Sequence, residues 1–257
     1  MSDGTLNKTP PLNSFGTGLN VAVIGASGGL GQAFSRQIED CAAVSKVFRL
    51  ARSGVSVSVN DNSLIRIDYG DEATIAEAAE LVAMTASPLH LVIVATGLLH
   101  DGARLQPEKT WRSLSGQALL ESFRVNAIGP ALVAKHFLPH LAKGRKAAFA
   151  AMSARVGSIG DNRLGGWHAY RASKAALNML IRTLSIELAW RNPSALCVAL
   201  HPGTVQTALS EPFRGNVTPE KLFTPELAAQ NLLAVLDGLG PEDTGGLYAW
   251  DGSTIEF

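Results

Sequence analysis

Short runs of consecutive apolar residues alternate along this chain with longer stretches of helical period. Val21–Ile24, Val47–Leu50, Leu64–Ile67, Leu89–Ala95, Ala147–Met152 and Leu196–Leu200 read as strands, and a last short strand falls near Leu247–Trp250. Several of them are apolar at every position, as suits strands covered on both faces. Between them the spacing predicts helices over Gly29–Asp40, Glu72–Met84, Gln117–Leu141, Tyr170–Arg191 and Pro225–Leu236. Strand–helix alternation of this kind requires right-handed crossovers and a parallel sheet, so the fold class is α/β with helices on both faces. No internal repeat and no interdomain linker interrupts the pattern.

Length and composition narrow the reading. The 257 residues suit one α/β domain, and an apolar share of 46% supports a sizeable core. Charged residues are 17%, against roughly a quarter in an average chain. That deficit fits either extra buried surface, such as a subunit interface, or simply an Ala- and Gly-rich composition. Twenty-two basic residues balance twenty-two acidic ones, which gives no electrostatic reason to expect nucleic acid or membrane as a partner. Cys41 and Cys197 cannot form a disulfide framework, and a reducing cytoplasm is the expected compartment. No apolar run reaches transmembrane length and no secretory signal core is present. Residues 1–18 are rich in Ser, Thr, Asn, Gly and Pro and read as a flexible leader outside a single domain spanning 19–257.

The chemistry is concentrated in a few places. Gly25-Ala26-Ser27-Gly28-Gly29-Leu30-Gly31 follows the first strand and opens the first helix. In that context one glycine permits a tight turn, another lets the backbone approach a pyrophosphate, and the helix N-terminus suits its charge. At the end of the second strand, where an adenosine ribose would be read, the chain has Ala51-Arg52-Ser53 and no carboxylate. A guanidinium there accepts a 2′-phosphate, with Ser27 adding a hydroxyl, so NADP(H) is favoured over NAD(H). Tyr170 and Lys174 lie four apart on one helical face, and Ser153 is seventeen residues upstream. An ammonium beside a phenol favours the phenolate, and a serine hydroxyl can hydrogen-bond a carbonyl or alkoxide oxygen. These are the parts needed to move a proton on or off a substrate oxygen while hydride moves at carbon.

The glycine turn, Ser153, Tyr170-x-x-x-Lys174 and Pro202-Gly203 stand in the order and spacing of the short-chain dehydrogenase/reductase family, which the chain resembles from about Asn20 onward. Arg155-Val156-Gly157-Ser158-Ile159, Asp161-Asn162, Gly165-Gly166-Trp167, the run Tyr170–Asn178 and Trp250-Asp251-Gly252 are similar to its C-factor-like branch. The resemblance implies a Rossmann-type doubly wound sheet of about seven parallel strands and a nicotinamide cofactor. It implies Tyr170 as acid/base, Lys174 lowering its pKa and holding the nicotinamide ribose, and Ser153 orienting the substrate oxygen. It further implies Asn126 holding a water of a proton relay, or else serving as a packing asparagine. Asp68 and Tyr69 would touch adenine, and Pro202, Gly203, Thr204, Val205 and Thr207 the nicotinamide carboxamide.

Where the family has Asn-Asn-Ala-Gly, this chain has Val94-Ala95-Thr96-Gly97. Gly97 keeps the turn and Ala95 still lines the adenine ribose, but the amides that tie the central strands are missing. The expected activity is a NAD(P)(H)-dependent, NADPH-preferring interconversion of a small-molecule carbonyl and a secondary alcohol. The alternative is a cofactor-binding sensor or C-factor-like signalling protein. The helices around Asn126 and Tyr170 imply a homodimer or homotetramer. The stretch Thr204–Thr224 reads as a substrate lid or a passive excursion. His136 and His140 share a helix face without a third metal ligand, while Trp167, His168 and Arg155 lie near enough to Tyr170 or Ser153 to border a substrate.

Overall fold

A computed structural model describes residues 12–54, 63–102, 104–216 and 218–257. Seven strands form one parallel sheet: β1 (Leu19–Ile24), β2 (Val44–Ala51), β3 (Leu64–Arg66), β4 (Leu91–Val94), β5 (Ala147–Met152), β6 (Ala195–His201) and, after the short pair described below, β9 (Leu247–Ala249). Their order is β3-β2-β1-β4-β5-β6-β9, with every pairing parallel. The strand order reverses between β1 and β4, and a crevice opens outside the carboxyl ends of strands at such a switch point.

The alternation of side chains explains the layers. Val21 and Val23 point to one face, where Phe34 and Ile38 of α1 (Gly29–Glu39) and Leu232 and Leu233 of α6 (Pro225–Gly238) bury them. Ala22 and Ile24 point to the other. There they meet Ile75 and Val82 of α2 (Glu72–Thr85), Val133 and Phe137 of α4 (Gly129–Phe137), and Leu177 and Ile181 of α5 (His168–Arg191). Because both faces are covered, β4 and β5 are buried at every position. Asp71 caps α2 and Thr224 caps α6, each by accepting a first-turn N–H.

Three features differ from the sequence reading. The fold begins before Gly18: Leu12 and Phe15 are buried in the α1/α6 layer. Lys146 fixes this segment, its Nζ lying 4.5 Å from the Phe15 ring centroid and donating to Ser14 Oγ at 2.7 Å and to Leu236 O at 2.8 Å. Polar composition concealed two apolar anchors. The rest of the expected leader, residues 1–11, lies outside the described residues.

The helix expected over Gln117–Leu141 is divided into α3 (Gly116–Phe123), a π-turn over Arg124–Ile128, α4 and a 3₁₀ turn over Leu138–His140. Pro130 has no N–H to give the carbonyl four residues back, and Pro139 ends the regular helix in the same way. The wide turn carries Asn126, which is fully buried.

The stretch after Pro202 is not irregular throughout. β7 (Thr204–Val205) pairs in parallel with β8 (Leu222–Phe223), so the excursion is closed at its base.

Candidate active site

The crevice at the switch point starts with the glycine turn. Gly25 has φ +84°, and its N–H donates to Leu50 O at 2.8 Å. A side chain at Gly25 would meet the Thr96 methyl at 2.8 Å, and one at Gly31 would meet Gly25 O at 2.1 Å. α1 therefore lies hard against β1. Its N-cap, Gly28, supplies no side chain, so the first-turn N–H groups of Gly29, Leu30 and Gly31 face an open cradle. Thr207 stands over this turn, with its methyl 3.0 Å from where a Cβ on Gly29 would lie.

On one side of the turn is a cavity of about 380 Å³, lined by Ser27, Arg52, Asp68, Tyr69, Ala95 and Arg124 among others. Arg52 is exposed, and among the described residues no carboxylate pairs with it. Asp68 accepts the Gly70 N–H at 2.9 Å. The Tyr69 hydroxyl shares a hydrogen bond with Thr96 Oγ1 at 2.9 Å, and burial pushes its pKa up. A Cβ on Gly129 would lie 2.1 Å from the Tyr69 ring, so the π-turn and Tyr69 fit only because that position is glycine. The Tyr69–Thr96 bond links the segment after β3 to the end of β4, a tie that the Val94-Ala95-Thr96-Gly97 sequence did not reveal.

On the other side is a cavity of about 560 Å³ that reaches from Gly29 to Ser153, Tyr170 and Lys174. β5 delivers Ser153 at its carboxyl end, and the first turns of α5 deliver Tyr170 and Lys174. Lys174 is 2% exposed, and its Nζ donates to Met152 O at 2.7 Å. Burial pushes its pKa down to about 7. The ammonium lies 5.8 Å from the Tyr170 ring centroid. In the chain by itself burial dominates at Tyr170 and pushes the phenol up rather than down. Among the described residues the Tyr170 hydroxyl has no hydrogen-bond partner, so its donor and acceptor capacity faces the cavity.

Ser153 Oγ donates to Asn178 Oδ1 at 2.6 Å. Asn178 follows Lys174 by four residues, and the i, i+4, i+8 row Tyr170, Lys174, Asn178 was legible as one helix face. Asn126 Oδ1 accepts the Leu98 N–H at 2.8 Å, while its Nδ2 donates to Leu98 O at 2.8 Å and to Ser173 Oγ at 3.0 Å. Asn126 thus braces the turn after β4 against α5. Gly203, at φ +75°, packs against Phe223 and Trp250, and Pro202, Gly203, Thr204, Val205 and Thr207 all line the cavity.

The far wall is apolar. Trp167, Leu99, Leu209 and Phe213 close it, with the Trp167 ring centroid 5.0 Å from Phe213 and 6.3 Å from Tyr170. Phe213 comes from the excursion between β7 and β8, and sequence reasoning gave it no role. His201 lines the same cavity, and burial holds it neutral, with its pKa down to about 4. Arg155 borders the cavity but faces Asp161 at 3.5 Å. His168 is not among the lining residues, and His136 instead meets Glu72 Oε1 at 2.9 Å.

Comparison with known proteins agrees with this geometry. The short chain dehydrogenase family model matches residues 19–217. The chain belongs to the short chain dehydrogenase family. A 1-hydroxy-2-glutathionyl-2-methyl-3-butene dehydrogenase of Rhodococcus sp. is 30% identical over 92% of this chain and 99% of its own. The C-signal protein of Myxococcus xanthus is 36% identical over 54% of this chain and 78% of its own. The NADPH-bound carbonyl reductase from chicken fatty liver superposes with a TM-score of 0.78 at 27% identity, over 94% of this chain and all of that one. The protein is thus an oxidoreductase enzyme of this family with C-factor-like relatives. No helix among the described residues is long and apolar enough to cross a membrane.

Proposed function

We propose that this enzyme interconverts an apolar carbonyl compound and its secondary alcohol and prefers NADP(H) to NAD(H). The observation that carries the reading is the convergence of Ser153, Tyr170 and buried Lys174 on one cavity continuous with the glycine cradle. The cradle fits a dinucleotide: side chains at Gly25 and Gly31 would fill it, and first-turn N–H groups suit a pyrophosphate. The nicotinamide, when bound, supplies or accepts the hydride. Pro202, Gly203, Val205 and Thr207 would hold its carboxamide end, Asp68, Tyr69, Ala95 and Gly97 its adenosine end, and Lys174 the ribose between.

In reduction, Tyr170 gives its proton to the substrate oxygen as negative charge develops there. Ser153, held by Asn178, donates to the same oxygen. Lys174 stabilises the phenolate that results. Asn126 has a second lone pair on Oδ1 for a water near Lys174 and can pass the proton on. The wall of Trp167, Leu99, Leu209 and Phe213 suits an apolar or aromatic substituent on the carbonyl. The chicken carbonyl reductase, bound to NADPH, supports both the reaction class and the cofactor.

Arg52 carries the cofactor preference. Arg52→Ala should raise KM for NADPH by about tenfold and leave KM for NADH within about twofold, as loss of one charge-assisted phosphate contact implies. Steady-state kinetics with both cofactors and an aryl ketone panel test both proposals. Equal effects on the two cofactors would remove the 2′-phosphate assignment. The likeness to C-signal motivates the other reading, a cofactor-binding signalling protein. Tight NADPH binding without turnover on the panel would favour that one.

We also propose a homodimer or homotetramer. Met179, Ile186 and Trp190 form one stripe on α5, exposed at 67%, 47% and 85%, and Leu120 on α3 is exposed at 69%. So much bare apolar surface on two helices is costly unless covered. Ile186→Glu should shift sedimentation toward the monomer, and a wild-type protein that is monomeric at micromolar concentration would rule the assembly out. The free thiols of Cys41 and Cys197, both buried, suit a reducing compartment such as the cytoplasm.

A further inference from the structure

The N-terminus of α5 is made in an unusual way. Its N-cap residue, Trp167, is left-handed, at φ 52° and ψ 42°, and offers no capping side chain. It follows Gly165 and Gly166, also left-handed at φ 64° and 66°. A non-glycine residue holds that conformation only when its surroundings impose it. The first-turn N–H groups also need acceptors from outside the helix.

Glu108 answers both needs from the loop between β4 and α3. Its main-chain oxygen accepts the Trp167 N–H at 2.6 Å, and its carboxyl Oε2 accepts the Ala169 N–H at 3.2 Å. The side chain is held in a tight site, since the residue is 5% exposed and among the described residues has no ion-pair partner. Its Oε1 is buried without a hydrogen-bond partner, so the geometry satisfies the helix before it satisfies the carboxyl group. Arg171 pins the other side of the same turn, donating to Gly166 O at 3.0 Å and to Val156 O at 3.2 Å. Tyr170 is the next residue after Ala169, and its ring packs on Trp167. A shift in this first turn therefore moves the phenol and the aromatic wall together.

We infer that Glu108 is a positioning residue for the reaction: its cap on the first turn of α5 aims the Tyr170 hydroxyl and sets the Trp167 wall. The inference rests on the acid/base reading of Tyr170. Misplacing a reacting group by an ångström costs about 10²-fold in rate. Glu108→Ala, assayed with NADPH and an aryl ketone and normalised to cofactor-binding sites, should therefore lose about 30- to 100-fold in kcat while cofactor affinity stays within about threefold. Glu108→Gln keeps a carbonyl acceptor for the Ala169 N–H and should recover to within about fivefold of wild type. A residue needed only for stability would lower the unfolding midpoint without lowering kcat per folded site.

Amide exchange across residues 167–174, measured on the NADPH-bound protein, gives an answer that needs no turnover. Exchange should be faster in Glu108→Ala than in wild type or Glu108→Gln. Unchanged exchange, unchanged kcat in Glu108→Ala, or equal losses in both variants would overturn the inference. If exchange rises as expected but wild type reduces no ketone, the anchor at α5 stands and the acid/base reading falls instead.

Discussion

Tyr170→Phe is expected to lower kcat for ketone reduction by about 10³-fold, the middle of the range for loss of a general acid. The substitution keeps the ring that packs on Trp167 and lies over Lys174. It removes a hydroxyl that bonds no described residue, so the folded state loses nothing it was using. Cofactor affinity should stay within about twofold, because Lys174 and the glycine cradle remain, and KM for the ketone should change far less than kcat. Such a split marks an interaction made mainly in the transition state. Stopped-flow NADPH oxidation and cofactor titration, run on the same preparations, check both halves. Equal turnover by wild type and variant would end the acid/base assignment. Loss of turnover together with loss of cofactor binding would mean that the phenol holds the cofactor site together.

Much of the architecture was legible because the evidence for it is local. The buried strands β4, β5 and β6 are apolar at consecutive positions, which marks strands covered on both faces. The glycine turn, Ser153, Tyr170 and Lys174 were legible because each stands at a fixed place relative to a strand end or helix face. What escaped depends on residues distant in sequence. Glu108 reaches the first turn of α5 across 61 positions, and Tyr69 bonds Thr96 across 27. The π-turn around Asn126 adds no mark to the apolar period of its helix, although Pro130 and Gly129 sit beside it. Phe213 lies in a segment with no period at all, and only the β7–β8 pairing brings it to Trp167. Leu12 and Phe15 were lost in a polar background, since two apolar residues make no periodic signal.

The second large effect concerns charge inside the core. Lys174 titrates near 7 in the folded chain, against 10.5 for a free lysine, because burial disfavours its ammonium form. Between those two values the unfolded chain holds a proton that the folded chain lacks. Raising the pH through this window therefore stabilises the fold, by up to about 1.4 kcal/mol per pH unit, and the gain is lost as pH falls toward 7. Other buried groups act elsewhere. His201, lowered from 6.5 to about 4, adds a slope of the same sign only below 6.5. Cys197, raised from 9.0 to about 12, opposes it only above 9. The interval from pH 7 to 9 thus belongs chiefly to Lys174, and Lys146, also lowered by burial, is common to both proteins when a variant is compared.

Lys174→Met should flatten the rise in cofactor-free stability across pH 7 to 9, as read from urea unfolding. It also deprives Met152 O of its donor, a cost that does not vary with pH. Cofactor binding provides an independent check. Ribose hydroxyls and a pyrophosphate near Lys174 favour the ammonium, so wild type should take up close to one proton on binding NADPH near pH 8, and Lys174→Met should take up none. Calorimetry in buffers of different ionisation enthalpy reads that number directly. A wild-type stability that is level from pH 7 to 9, with no proton uptake on binding, would show that Lys174 is already charged in the empty crevice, and the tuning of Tyr170 would then precede the cofactor rather than follow it.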